Sequence, residues 1–144
     1  MQGDADTPLF STTAEPGRLI VTARGRTGSE LFAAASAAYF SSVCLLSEVR
    51  PTQAYELGRE ASTLDELFLG WMNDLVWVFS DQEVACAHVT FSHWSPSGYA
   101  ATLLGEPIDP DRHEPDDFVE AASADGLELD AAEGAWSARV ILLT

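Results

Sequence analysis

The chain has 144 residues, of which 47% are hydrophobic, and its formal net charge is -16. This length fits one domain with a core of its own. All seven basic residues are arginines, and the absence of lysine excludes Schiff-base and lysyl-adenylate mechanisms. The excess of carboxylates argues against direct nucleic-acid binding and favours a cationic protein or a metal ion as a partner. Adaptation to high salt or a GC-rich genome is an alternative cause of the acidity.

Neither a secretory signal nor a membrane span is expected. No charged and then apolar stretch opens the chain, and no apolar run approaches the roughly 20 residues that a membrane-spanning helix needs. Two cysteines, Cys44 and Cys86, are too few for a disulfide framework, and their apolar surroundings are typical of small buried side chains. We therefore expect a cytoplasmic protein without membrane contact.

Strand and helix patterns alternate in the first half of the chain. Residues 18–23 are rich in apolar and β-branched side chains and predict a strand. Thr27 and Glu30 form a T-x-x-E capping box, which predicts a helix that starts there and runs to about residue 46. A second strand is predicted over residues 52–59.

The second helix has the clearest amphipathic pattern of the chain. Thr63 and Glu66 form another capping box at its start. Apolar residues recurring every three or four positions predict a helix packed against the core. Its predicted inner face consists of Leu64, Leu67, Phe68, Trp71, Met72, Leu75 and Phe79.

Strand patterns separated by turns dominate the second half. The predicted strands cover residues 84–94, 99–104, 118–124, 127–129 and 136–143. A Ser-Pro-Ser-Gly turn joins the first two, and Asp125-Gly126 and Glu133-Gly134 mark turns between the last three.

This order of elements predicts an α+β fold with two layers. A mostly antiparallel sheet would carry the two amphipathic helices on one face. We expect residues 1–16 to form a flexible N-terminal segment and residues 17–144 to form a single domain.

No residue pattern indicates an autonomous enzyme. The chain has no nucleophile elbow, phosphate loop or dinucleotide fingerprint. In the strand over residues 84–94, Cys86 and His88 should share one face and His93 should lie on the other, so a zinc site is not expected. An independent carboxylate-based hydrolase is the least favoured hypothesis.

The densest group of carboxylates lies between residues 109 and 117. Oxygen-rich loops of this kind suit hard cations such as Mg²⁺ or Ca²⁺, although the spacing differs from that of an EF-hand. The alternative, which we favour, is a solvated acidic connection that Arg112 and His113 attach to the sheet.

One segment indicates a particular protein family, which composition alone does not. Residues 105–113 are G-E-P-I-D-P-D-R-H, which resembles the G-E-x-x-D-x-x-R-H signature of the archease family. Residues 25–32 resemble the family's G-x-T-x-x-E-L-F helix start, and residues 64–75 its D-L-E-E-L-L-x-x-W-L-N-E-L helix. Two further segments, 125–129 and 136–141, resemble its last two strands. The resemblance extends over residues 17–144, with the motifs in the family's order.

The resemblance implies a small accessory protein and not a ligase. Archeases assist the GTP-dependent RNA-splicing ligase of the RtcB type, promoting its guanylylation and turnover in tRNA splicing and RNA repair. Their working site is a metal cluster that combines an Asp of an N-terminal H-T-A-D motif with an Asp and the terminal carboxylate at the chain end.

The chain departs from the family at this metal cluster. Glu15 can match the Asp of H-T-A-D only with an insertion, and without one Arg18 takes the ligand position. Leu143 replaces the Asp of the tail, so Glu15 and the terminal carboxylate of Thr144 are the remaining candidate metal ligands. A weakly bound Ca²⁺ or Mg²⁺ is the expected ion.

Two functional hypotheses follow from the resemblance. The first is an archease-like factor that activates an RNA-splicing ligase through an eroded metal site, using its acidic surface to dock on that protein partner. The second is a divergent binding module on the same scaffold that does not activate the ligase and needs no metal. Residues of the core do not distinguish these functions.

Overall fold

A computed structural model describes residues 9–144, and its α+β architecture confirms the predicted fold class. The helices of the described part are α1 (Gly28–Val43), α2 (Leu64–Ser80) and the short α3 (Pro110–His113), with a 3₁₀ turn at Leu46–Glu48. The strands are β1 (Phe10–Glu15), β2 (Arg18–Gly25), β3 (Gln53–Glu60), β4 (Val84–Ser95), β5 (Gly98–Pro107), β6 (Ala121–Ala132) and β7 (Ala135–Leu143).

The strands form two antiparallel sheets where the sequence predicted one. The first sheet has the order β1-β2-β7-β6 and the second β3-β5-β4. Helix α1 contacts β2 of the first sheet and β4 of the second, while α2 contacts β6, β3 and β4. The two helices therefore connect both sheets through one core, an arrangement that local strand patterns do not specify.

The predicted inner face of α2 is confirmed. Six of its seven residues are buried, and Leu64 at the first position is half-buried. The buried Trp71 indole donates a hydrogen bond to the carbonyl oxygen of Phe32 in α1 at 2.9 Å, so burying its N–H leaves no polar group unpaired. The predicted N-caps are also present, because the hydroxyls of Thr27 and Thr63 each accept the N–H three residues later.

The segment expected to be flexible contains strand β1. Residues 10–15 pair with β2 in regular antiparallel register, from Phe10 opposite Ala23 to Glu15 opposite Arg18. Pro16 and Gly17 form the connecting turn, in which Gly17 has φ +80°. Residues 1–8 of the same expected segment lie outside the described residues. Strand β1 is polar because it lies at the edge of the sheet, so it has no apolar pattern that would predict it. Its position is determined by pairing with β2.

The predicted turn at Asp125-Gly126 is instead an irregularity within one strand. The pairing of β6 with β7 shifts between Ser123 and Glu128, and Gly126 has φ +79°. The segment 118–120, predicted as strand, precedes β6. By contrast, the turn predicted at Glu133-Gly134 is confirmed. A glycine with positive φ fits both a turn and a bulge, so the sequence does not distinguish them.

No helix of residues 9–144 is long and apolar enough to cross a membrane.

Gly105 is a site where backbone packing leaves no room for a side chain. A Cβ there would overlap the carbonyl oxygen of Ala85 in the neighbouring strand, whereas a Cβ at Gly58 would meet its nearest neighbour at 3.5 Å. We expect Gly105→Ala to lower the free energy of unfolding by about 1–3 kcal/mol, as overpacking does. The matched variant Gly58→Ala should change it by less than about 1 kcal/mol. Urea denaturation measures the free energy of unfolding of both variants. Equal losses in the two variants would show that the backbone contact at Gly105 is not the cause.

Candidate functional site

The candidate metal ligands lie at one end of the first sheet. Glu15, Arg18 and Leu143 occupy opposing positions on the adjacent strands β1, β2 and β7. The N–H of Thr144 donates to the carbonyl oxygen of Gly17 at 3.1 Å, which holds the chain end beside the β1–β2 turn. Glu15 and Thr144 are thus separated by the strand that carries Arg18, a backbone distance of about 10 Å.

Arg18 occupies the space between these two candidates. Its Nε donates to a carboxylate oxygen of Glu15 at 2.7 Å, and both side chains are partly exposed. A cation in this position repels a metal ion and already neutralises Glu15. The structure therefore places Glu15, Arg18 and Leu143 side by side on three adjacent strands, but it keeps Glu15 and Thr144 apart and pairs the carboxylate of Glu15 with an arginine.

This donor set does not fit a resident divalent cation. Ca²⁺ takes roughly six to eight oxygen ligands, and Mg²⁺ needs a near-octahedral set. Here Leu143 supplies an aliphatic side chain where the resemblance implies a carboxylate. Throughout residues 9–144, no three His, Cys, Asp or Glu side chains are grouped so that they could hold a metal ion.

The outer face of the same sheet carries three of the seven arginines. Arg18 and Arg24 are separated by an even number of positions on β2, so their side chains lie on the same face as that of Thr22. Arg139 of β7 is opposite Thr22 and shares this face. Glu15 and Glu128 accompany them in the neighbouring strands. Because both signs are mixed, this face is not the continuous basic stripe that phosphate backbones require.

A second polar centre surrounds Glu106 at the end of β5. One carboxylate oxygen, Oε2, pairs with Arg112 Nη2 at 2.6 Å, accepts from His113 Nε2 at 2.9 Å and accepts from the N–H of Arg50 at 2.7 Å. The hydrogen bond from Arg50, assisted by those from His113 and Arg112, lowers the pKa of Glu106 from 4.5 to about 2. The carboxylate thus joins three separate segments of the chain.

The acidic segment over residues 109–117 is ordered by this centre. The N–H of Asp109 donates to His113 Nδ1 at 2.9 Å, which places the imidazole proton on Nε2, facing Glu106. Asp109 also caps α3 by accepting the N–H of Asp111. Arg112 and His113 therefore attach the segment to the sheet, as the favoured alternative expected, and its carboxylates do not converge on a cation.

The histidine and cysteine positions differ from their predicted faces. Pairing of β4 with β5 shifts between Cys86 and His88 and again between Phe91 and His93. Cys86 is consequently buried, while His88 and His93 are both exposed. Both cysteines are free and buried as predicted, and burial raises the pKa of Cys44 to about 11 and that of Cys86 to about 12. Neither thiol is therefore an activated nucleophile at neutral pH.

Sequence reasoning missed an ion pair between β3 and α2. Arg59 donates to both carboxylate oxygens of Asp74, at 3.1 Å and 2.8 Å, and the Tyr99 hydroxyl donates to the same carboxylate at 2.9 Å. The arginine crosses Gly70, where any Cβ would overlap it. The available signal in the sequence was Gly70, one helical turn before Asp74. This signal leaves room for a crossing side chain, but it does not identify Arg59 as that side chain.

Comparison with known proteins identifies the family and the fold. A sequence model of the Archease protein family matches residues 11–142. The chain belongs to the archease family. It is 28% identical over 123 residues to the protein archease of Methanopyrus kandleri, covering 81% of this chain and 85% of that protein. The solution structure of Methanobacterium thermoautotrophicum protein 1598 has the same fold, with a TM-score of 0.77 and 22% identity over 96% of this chain and 100% of that chain.

The low pKa of Glu106 predicts a specific pH dependence of stability. Because this pKa is lower in the folded chain than in the unfolded one, the carboxylate stabilises the fold above about pH 4.5, and that contribution is lost as the pH falls towards 2. Glu106→Gln should therefore be less stable than the wild type at pH 7, and the difference should shrink below pH 4. Urea denaturation from pH 7 to pH 3 measures it. A constant difference between the two proteins would contradict the assignment.

Proposed function

We propose that the protein is an accessory factor of a GTP-dependent RNA-splicing ligase and promotes its guanylylation and turnover in tRNA splicing or RNA repair. The observation that carries this proposal is the family match over residues 11–142. The deeply buried thiols and the lack of a recognisable nucleophile motif support an accessory role and not a catalytic one. The protein would act in the cytoplasm.

The charge of the protein supports docking on a protein partner. A formal charge of -16 favours approach to a cationic surface and disfavours direct contact with RNA phosphates. In this proposal the ligase supplies both the active site and the RNA-binding surface. The acidic accessory protein contributes binding energy that favours the activated state of the ligase.

A second candidate function is a binding module that does not activate the ligase. The ion pair between Arg18 and Glu15, and the aliphatic Leu143 beside it, favour this candidate, because they occupy the positions from which the family's metal ligands would act. In the first candidate any Ca²⁺ or Mg²⁺ is held weakly, by Glu15 and the Thr144 carboxylate with water or partner ligands. In the second no ion is needed.

Activation of the ligase distinguishes the two candidates. The ligase of the same organism would be incubated with GTP and Mn²⁺ or Mg²⁺, and its guanylylation followed over many turnovers with and without this protein. We expect a higher guanylylation rate and sustained turnover. An unchanged rate together with retained binding in a pull-down assay would favour the non-activating module, and an absence of both would refute the proposed partnership.

The metal ligands can be tested by reversing the departures from the family. Isothermal titration calorimetry should show weak binding of Ca²⁺ and Mg²⁺ to the wild type. Because Leu143 is exposed and opposite Arg18, the double variant Arg18→Ser, Leu143→Asp adds a carboxylate and removes the competing cation. Its affinity should rise by about one or two orders of magnitude.

The control for this experiment is Arg18→Ser, Leu143→Asn, which removes the arginine without adding a carboxylate. We expect its affinity to rise less than that of the Asp variant. Tight one-to-one binding by the wild type would show that Glu15 and Thr144 form a complete site and that the metal site is not eroded.

A further inference from the structure

A groove at the C-terminal end of α2 combines an exposed aromatic side chain with several carboxylates, and the proposed function assigns no role to it. It has a volume of about 430 Å³ and lies between the last turns of α2 and the segment that precedes β6. Trp77 forms part of its wall, and the carboxylates of Asp81, Asp117 and Glu120 line it together with Ser80.

Trp77 is the most exposed aromatic side chain of the described residues, with 46% of its surface accessible. Its neighbours in the helix, Val76 and Val78, are buried, so the exposed indole is not a consequence of a loosely packed helix end. An exposed tryptophan in a groove costs solvation free energy in the free protein. Tryptophan is also the residue most enriched at the energetic centres of protein interfaces.

The three carboxylates of the groove have no cationic partner within residues 9–144. Asp117 accepts a hydrogen bond from the neutral hydroxyl of Ser80 at 2.6 Å, and neither Asp81 nor Glu120 forms an ion pair in this part of the chain. The last turn of α2 carries no basic residue, although the negative end of the helix dipole points into this region. Three unpaired carboxylates and a helix C-terminus together favour a cation.

A buried hydroxyl lies next to two residues of the groove, Ser80 and Asp117. The side chain of Tyr39 is fully buried, and its hydroxyl lies beside Ser80 without a hydrogen bond of regular geometry. Burial raises the pKa of this phenol above its usual value, and the nearby carboxylate of Asp117 raises it further. The hydroxyl therefore remains neutral beside Ser80 and Asp117 and adds no positive charge that could pair with the carboxylates of the groove.

We propose that this groove docks an arginine-bearing basic segment of a protein partner, with one guanidinium stacked on the Trp77 indole and hydrogen-bonded to Asp117 and Glu120. A guanidinium is planar, stacks on aromatic faces and donates to two carboxylates at once, whereas a lysine ammonium offers a point charge without a stacking face. The surface of a protein with net charge -16 complements a basic segment and repels a second copy of itself.

This inference goes beyond the proposed function because it concerns the chemistry of the docked segment and not the identity of its owner. If the owner is the RNA ligase, Trp77→Ala would also weaken activation. The binding test below uses a synthetic peptide without any ligase. Failure of peptide docking can therefore be distinguished from failure of ligase activation.

The test is NMR titration of the full chain with a short peptide in which three arginines alternate with glycine and serine. The same peptide with lysine, and with neutral citrulline, in place of arginine serves as its control. We expect the arginine peptide to shift the Trp77 indole N–H and the amides of Asp81, Asp117 and Glu120. The lysine peptide should bind more weakly than the arginine peptide, and the citrulline peptide should not bind. Trp77→Ala should weaken binding by about five- to tenfold, as expected for loss of a partly desolvated cation–π contact.

Matched variants separate this site from general charge attraction. Glu120→Gln and Glu133→Gln each remove one negative charge, but Glu133 lies in the β6–β7 turn, at the opposite end of β6 from the groove. Leu45→Ala removes another exposed apolar side chain and controls for Trp77→Ala. We expect only the groove variants to weaken binding.

Several results would overturn the proposal. Shifts spread over the acidic surface, or equal losses in Glu120→Gln and Glu133→Gln, would show diffuse attraction. Lysine binding as tightly as arginine would refute the guanidinium contact. Self-association that Trp77→Ala abolishes, measured by sedimentation velocity, would instead assign the groove to a second copy of the chain.

Discussion

The carboxylate of Glu106 is the contact on which the arrangement of the loops depends. Its Oε2 atom binds the Arg50 main chain, the Arg112 guanidinium and the His113 imidazole, and these belong to two connections that are far apart in the sequence. Glu106 is a buried residue, so its carboxylate must be satisfied by partners within the fold. A carboxylate satisfied in this way orders its partners as well as itself, because each donor would be left unpaired without it.

The position of Glu106 depends in turn on the packing of β5. Gly105 allows β5 to approach the Ala85 carbonyl at a bulge of β4, and Glu106 follows at the edge of the core. This explains why glycine and glutamate occur next to each other in the family-like signature, followed at a fixed spacing by Arg112 and His113. In this chain the charged residues of the signature therefore have a structural role, because Glu106, Arg112 and His113 bind one another.

The acidity of the protein has different consequences in different regions. Near Glu106 and Asp74 the carboxylates are paired with arginines and hold elements together. At Glu15 an arginine neutralises the side-chain carboxylate that the sequence singled out as a candidate metal ligand. Around Trp77 the carboxylates have no cationic partner in the described part of the chain, and they share a groove with an exposed indole.

The sequence by itself determined the elements whose signal is local. The capping boxes at Thr27 and Thr63, the apolar stripe of α2 and the α+β order are set by neighbouring residues, because caps and helical faces involve positions three or four apart. The family resemblance likewise needed only motifs in order. The departures at Arg18 and Leu143 were also visible without a structure, since they are changes of residue type.

Only the tertiary structure decided which elements pair and which polar groups meet. The division of the strands into two sheets, the pairing of β1 with β2 and the bulges that separate Cys86 from His88 depend on partners distant in the chain. The position of Arg18 between Glu15 and Leu143 also depends on strand pairing. The groove at Trp77 likewise depends on distant residues, because the helical pattern of α2 does not show which segment lies across from Trp77. Long-range pairing selects among several locally acceptable arrangements, and that choice is not present in any single segment.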